Sequence, residues 1–252
     1  MRGVYILPNL FTTATVFLGV YGIFAASRGD FLQAAVAIVV AHISDGLDGR
    51  IARLTNTTSD FGVEYDSLAD LVAFGVAPSV LAYRWALEPW GAWGWLAASL
   101  FVTCGALRLA RFNVQVGLVE KRSFVGLPIP AAADMVAATV LLYFYFGGQG
   151  ATSKHLVLLL MVYGLAMLMV SNIRYYSFKD IDFRAQQPFY ALVGGVILVM
   201  FVVAQPEVML FAGMIIYISS GPTRAVLTWL RRRRTRGERP VLRTGSGTDE
   251  TA

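Results

Sequence analysis

Four aspartates, Asp45, Asp48, Asp66 and Asp70, stand in two close pairs among apolar residues and glycines. On helices, the i,i+3 spacing of Asp45 and Asp48 and the i,i+4 spacing of Asp66 and Asp70 put each pair on one face. The polar segment 54–62 between them carries Thr, Asn, Ser and Gly, the composition of a turn, so the two helices form an antiparallel hairpin. The pairs then oppose each other at one level. Four facing carboxylates repel strongly, and hard divalent cations with oxygen ligands, Mg²⁺ or Mn²⁺, would resolve that repulsion. Two such ions about 4 Å apart suit phosphoryl chemistry, because they grip a diphosphate and neutralise its leaving group. Gly46, Gly49 and Ala52 leave one side of the first helix open to a flat base or a diphosphate, and Gly62 does the same on the facing helix. Arg53 adds a fixed positive charge for a phosphate. The bland reading, acids snorkelling from helix ends and paired with Arg50 and Arg53, accounts for each acid singly. It does not account for all four in this spacing with the glycines.

The elements that must hold these acids are membrane helices. The chain has 252 residues, 56% of them hydrophobic, and a mean hydropathy of +0.60. Its apolar residues fall in uncharged stretches at 3–27, 89–107, 135–153, 155–173 and 185–206. About 20 helical residues cross a hydrocarbon core roughly 30 Å thick. A soluble bundle is excluded, since so many uninterrupted stretches would have no water-facing side. The expected fold is all-α and integral to the membrane, with about eight helices at 8–27, 31–53, 64–86, 91–112, 127–147, 154–173, 187–204 and 207–229. The membrane domain covers 1–230, and a basic, disordered tail covers 231–252. The first span follows the start of the chain directly, contains Thr12, Thr13 and Thr15, and lacks the features of a cleaved signal. The single cysteine, Cys104, excludes an internal disulfide and reads as packing.

Charge orients the bundle. With eight spans both termini share a side, and only Arg28, Arg84 and Lys154 fall on the other. The positive-inside rule makes the Arg-rich side cytoplasmic, and with it the acid site and both termini. Arg231 to Arg234, with Arg236 and Arg239, form a juxtamembrane anchor that touches anionic headgroups rather than nucleic acid.

The run Asp45-Gly46-Leu47-Asp48-Gly49-Arg50-Ile51-Ala52-Arg53, followed by Gly62, Asp66 and Asp70, resembles the signature of the CDP-alcohol phosphotransferase family, D-x-x-D-G-x-x-A-R-x(8)-G-x-x-x-D-x-x-x-D. Every fixed position is present at the family spacing. The resemblance implies a helical membrane protein, usually a homodimer, that binds a cytidine diphosphate moiety and two divalent metals. Asp45, Asp48 and Asp66 would be ligands, Asp70 a ligand or general base, and Gly49, Ala52 and Arg53 would lie against the nucleotide. Residues 5–205 are similar to the branch of the family that takes L-serine as the acceptor and CDP-diacylglycerol as the donor. The segments carrying that likeness are Phe61 to Asp70, Phe74 to Pro78, Arg108 to Asn113, Gly126 to Pro130 and Ser171 to Ser177. The last helix and the tail add nothing to it.

A guanidinium can hold the serine carboxylate bidentately. Arg108 and Arg111, at the cytoplasmic end of the fourth span with Asn113 beside them, are the candidates, against a simple anchoring role. Asn9 and Thr12 start the first span near the same level and are candidate nucleotide contacts. Asp70 lies one turn further from the loop than Asp66 and is the candidate base for the acceptor hydroxyl. His42, one turn before Asp45, reads as packing or support, and His155 belongs to the opposite face. Choline, glycerol phosphate or inositol phosphate are alternative acceptors, though a phosphorylated one would want more cations. An ion-coupled transporter is the reading from another class. Transporters place their acids near the midplane on broken or repeated helices, whereas these acids sit toward one surface.

Overall fold

The computed structural model describes residues 6–54, 59–115, 124–175, 200–201 and 203–237. Helix α1 (Ile6–Arg28) turns tightly into α2 (Phe31–Leu54). Gly29, at φ +88°, ends α1 in a left-handed cap: its N–H meets Ala26 O at 3.2 Å, and the Asp30 N–H meets Ala25 O at 2.9 Å. The Asp30 carbonyl then accepts the first bond of α2, from the Ala34 N–H at 3.0 Å. Lipid supplies no hydrophobic drive between helices, so small residues must bring the backbones close. A Cβ on Gly22 would lie 3.6 Å from Ala34 O, and one on Gly19 would lie 2.7 Å from Ala73 Cα in the third helix. Thr13 and Thr15 donate to the carbonyls four residues back, at 2.7 and 3.1 Å, so their hydroxyls are satisfied within α1.

Helix α3 is one rod, Asp60–Trp90, of 31 residues. It begins four residues before the expected start at 64, because Ser59 caps it and accepts from the Gly62 N–H at 3.1 Å. The rod widens to π geometry over Leu71–Val76, where the Ala77 N–H reaches back five residues to Val72 O. Pro78 follows at once. It lacks an N–H and would press on the carbonyl four residues back in a regular α-turn, so a widened turn eases its passage. A second π segment covers Tyr83–Leu87.

After α4 (Ala92–Gln115) comes a short strand, β1 (Phe124–Val125), then α5 (Ile129–Tyr145), α6 (Leu156–Val170) and a second strand, β2 (Arg174–Tyr175). Helix α5 is the centre of the bundle, buried from Ile129 through Leu141 along most of its surface. The two strands pair antiparallel, Phe124 against Tyr175 and Val125 against Arg174. Gly126, at φ +85°, continues the stitch with its N–H on Ile173 O at 2.9 Å, and the Leu127 N–H meets Leu168 O at 3.0 Å. This ladder joins two of the segments singled out in the sequence, 126–130 and 171–177.

Among the described residues, five helices are long and apolar enough to cross a membrane, at Asn9–Arg28, Phe31–Ile51, Asp60–Trp90, Ala92–Val114 and Pro206–Thr228, and α5 and α6 are shorter apolar helices. The multi-span helical class expected from sequence is therefore the class observed. Of the expected helix 187–204, residues 200, 201, 203 and 204 are helical and the rest lies outside the described residues. The last helix, α7 (Pro206–Gly237), outruns its expected end at 229. Residues 231–237, assigned to a disordered tail from sequence, continue this helix, and 238–252 lie outside the described residues.

Candidate active site

The α2–α3 hairpin gathers the acids as the spacing predicts. One carboxylate oxygen from each of Asp45, Asp48 and Asp66 lies within 4.8 Å of the other two. Asp48 is buried, at 6% exposure, and Thr12 Oγ1 of α1 donates to its Oδ2 at 2.9 Å. Two further bonds lock α1 against the hairpin: Ser44 Oγ to Phe11 O at 3.1 Å, and Thr13 Oγ1 with Tyr65 Oη at 3.0 Å, next to Asp66. Asp70 lies one turn deeper in α3, with its carboxyl group within hydrogen-bonding reach of Asp45. Its Oδ1 is buried without a partner among the described residues.

This donor set suits a hard divalent cation, because it is made wholly of carboxylate oxygens already at mutual distances a shared ion allows. The space around it agrees. A Cβ added to Gly46 or Gly49 would meet nothing within 4 Å, and one on Gly62 would come 3.7 Å from Asn9 Oδ1. Asn9 and Gly62 thus face each other across the α1–α3 contact.

The remaining candidates separate. Thr12, expected against a nucleotide, holds Asp48. Arg108 of α4 is an electrostatic neighbour of Asp70, and its Nε is buried without a partner among the described residues. Arg111, one turn on, donates from Nη2 to Asn172 Oδ1 at 2.9 Å, tying α4 to the segment before β2. Asn113 Nδ2 donates to Ser67 Oγ at 3.0 Å, one residue beyond Asp66. Ala52 and Arg53 belong to the last turn of α2, and their side chains lie outside the described residues. His155 pairs with Ser153 at 2.9 Å, away from the acids, and Cys104 is buried as a free thiol.

Two residues of this region escape a reading by spacing. Asp134 of α5 is 2% exposed and accepts from His42 Nδ1 through Oδ2, while its Oδ1 has no partner among the described residues. The His42 ring also meets the Phe74 ring edge-on at 5.8 Å. The signal for Asp134 was present, a lone acid in the apolar run 129–145, and such residues inside a membrane have a partner. Tyr217 of α7 is an electrostatic neighbour of Arg108, and nothing in its surroundings in sequence marked it.

The CDP-alcohol phosphatidyltransferase family profile matches residues 5–170. A CDP-diacylglycerol–serine O-phosphatidyltransferase of Helicobacter pylori is 49% identical over 183 residues, covering 71% of this chain and 76% of its own. The protein of the same name from Mycobacterium leprae is 36% identical over 225 residues, 86% of this chain and 73% of its own. That of Bacillus subtilis is 36% identical over 173 residues, 69% of this chain and 91% of its own.

Proposed function

The chain belongs to the CDP-alcohol phosphatidyltransferase family, and from that premise we infer that it transfers a phosphatidyl group from CDP-diacylglycerol to L-serine, giving phosphatidylserine and CMP. The observation that carries the chemistry is the gathering of Asp45, Asp48 and Asp66 within 4.8 Å, with Asp70 behind them. These residues would hold two divalent ions, Mg²⁺ or Mn²⁺. Bound there, the ions supply positive charge to the diphosphate and to the departing CMP.

The rest falls to the chain's own side chains. Asp70 would accept the proton of the serine hydroxyl as its oxygen bonds to the lipid-bearing phosphorus and the bond from that phosphorus to CMP breaks. Its unpartnered Oδ1 leaves an acceptor atom for that proton. Arg108 would hold the serine carboxylate. A buried acceptor on Asp70 and a buried donor on Arg108, electrostatic neighbours and both unsatisfied among the described residues, match an acceptor molecule that carries a hydroxyl and a carboxylate. Thr12 keeps Asp48 turned into the cluster. Gly49, Ala52 and Arg53, with Asn9 and Gly62 opposite, would line the nucleotide. The protein would work as a homodimer in the cytoplasmic membrane, with the acids and both termini on the cytoplasmic side, as the distribution of Lys and Arg supports.

The test is CMP release by the purified protein in detergent, with CDP-diacylglycerol and a panel of serine, choline, glycerol phosphate and inositol phosphate. Release should require serine and yield phosphatidylserine. Preference for a phosphorylated acceptor, or release independent of any acceptor, would overturn the assignment.

A further inference from the structure

The family profile ends at residue 170, before β2 and α7, yet Tyr217 of α7 is an electrostatic neighbour of Arg108. What docks it is Tyr175. This side chain is 2% exposed, is held in β2 opposite Phe124, and donates from its hydroxyl to Ile218 O at 3.3 Å. Burial and the neighbouring Tyr217 push its phenol up to about 12, so it stays a neutral donor. Gly221 makes room for it, since a Cβ there would come 2.9 Å from Tyr175 Oη. The Tyr175 and Tyr217 rings sit 5.6 Å apart. The bond to Ile218, one residue after Tyr217, fixes the rotation of α7. Tyr217 is thereby held within electrostatic range of Arg108, whose Nε has no partner among the described residues and which is also an electrostatic neighbour of Asp70.

A phenol hydroxyl both accepts and donates. It can accept from a guanidinium and, with the same oxygen, donate to a carboxylate that the guanidinium holds. We propose that Tyr217 is a specificity-determining residue: it closes the carboxylate subsite around Arg108, so that α7, beyond the family-wide core, helps to select an amino-acid alcohol as the acceptor. This rests on serine being the acceptor. An acceptor without a carboxylate, such as ethanolamine, gains nothing from the Arg108–Tyr217 pair.

Tyr217→Phe removes the hydroxyl and keeps the ring against Tyr175. In the full-length enzyme it should raise the serine KM about tenfold, the worth of a hydrogen bond to a charged group. The KM for CDP-diacylglycerol and the melting midpoint should stay unchanged, and the preference for serine over ethanolamine should narrow. Gly221→Ala, which disturbs the docking of the whole helix, should raise the serine KM and lower the melting midpoint together. An unchanged serine KM in Tyr217→Phe, beside normal serine turnover by the unaltered enzyme, overturns the inference alone. So does an equal rise in both KM values. Absence of serine turnover by the unaltered enzyme would instead overturn the reaction assignment, and this inference with it.

Discussion

Removing His42 should destabilise the protein far more than removing its partner Asp134. The asymmetry comes from burial: the Asp134 side chain is 3% exposed and that of His42 is 41% exposed. In His42→Ala the Asp134 carboxylate stays enclosed in the centre of the bundle with neither oxygen paired, since Oδ1 already lacks a partner among the described residues. Leaving a buried carboxylate without its hydrogen-bond partner costs about 3 kcal/mol. The lost edge contact with Phe74 adds about 0.5–1.5 kcal/mol. In Asp134→Ala the charge itself goes, and the half-exposed imidazole can turn to other partners, a loss of about 1 kcal/mol. The double variant removes charge and partner together, so it should be more stable than His42→Ala alone, with a coupling of about 2–3 kcal/mol. His42→Phe separates the ring contact from the hydrogen bond and should fall near His42→Ala. Melting midpoints of the four variants in one detergent give the order. Equal losses in the two single variants, or additive loss in the double, would refute a buried carboxylate that depends on His42.

Chelation by EDTA should abolish activity, and Mg²⁺ or Mn²⁺ should restore it; full turnover in metal-free buffer would remove the role given to the acids. Asp70→Asn should keep CDP-diacylglycerol binding while lowering turnover by about 10²–10⁴-fold, whereas Asp45→Asn should lose metal and nucleotide binding together. Loss of nucleotide binding in Asp70→Asn would make that residue a ligand and place the base elsewhere. Gly126→Ala sets a side chain at φ +85° against the Met169 carbonyl, so stability should fall by about 1–3 kcal/mol, read as a lower melting midpoint. A reporter fused after residue 252 should behave as cytosolic and one in the 147–151 loop as external; the reverse for either requires a different number of spans.

The membrane class and the acid cluster were legible in the sequence because both depend on local periodicity. Uncharged runs long enough to span need no partner to be recognised, and i,i+3 and i,i+4 spacing places Asp45 with Asp48 and Asp66 with Asp70 on shared faces whatever surrounds the helices. Element ends were less legible. Ser59 lies in a polar stretch that reads as loop, and only its hydroxyl on the Gly62 N–H makes it a cap. The arginines of 231–234 read as a headgroup anchor within a disordered tail, although they continue a helix. Contacts between helices could not be read at all. Thr12 on Asp48, Arg111 on Asn172, His42 on Asp134 and Tyr217 within electrostatic range of Arg108 join residues 36 or more positions apart. Each depends on how far one helix is rotated and slid against the next. That is set by where small residues let backbones touch, as at Gly19 with Ala73, and by how one buried tyrosine seats in the gap at Gly221. Such fits involve pairs of surfaces, and no single stretch of sequence carries both members of the pair.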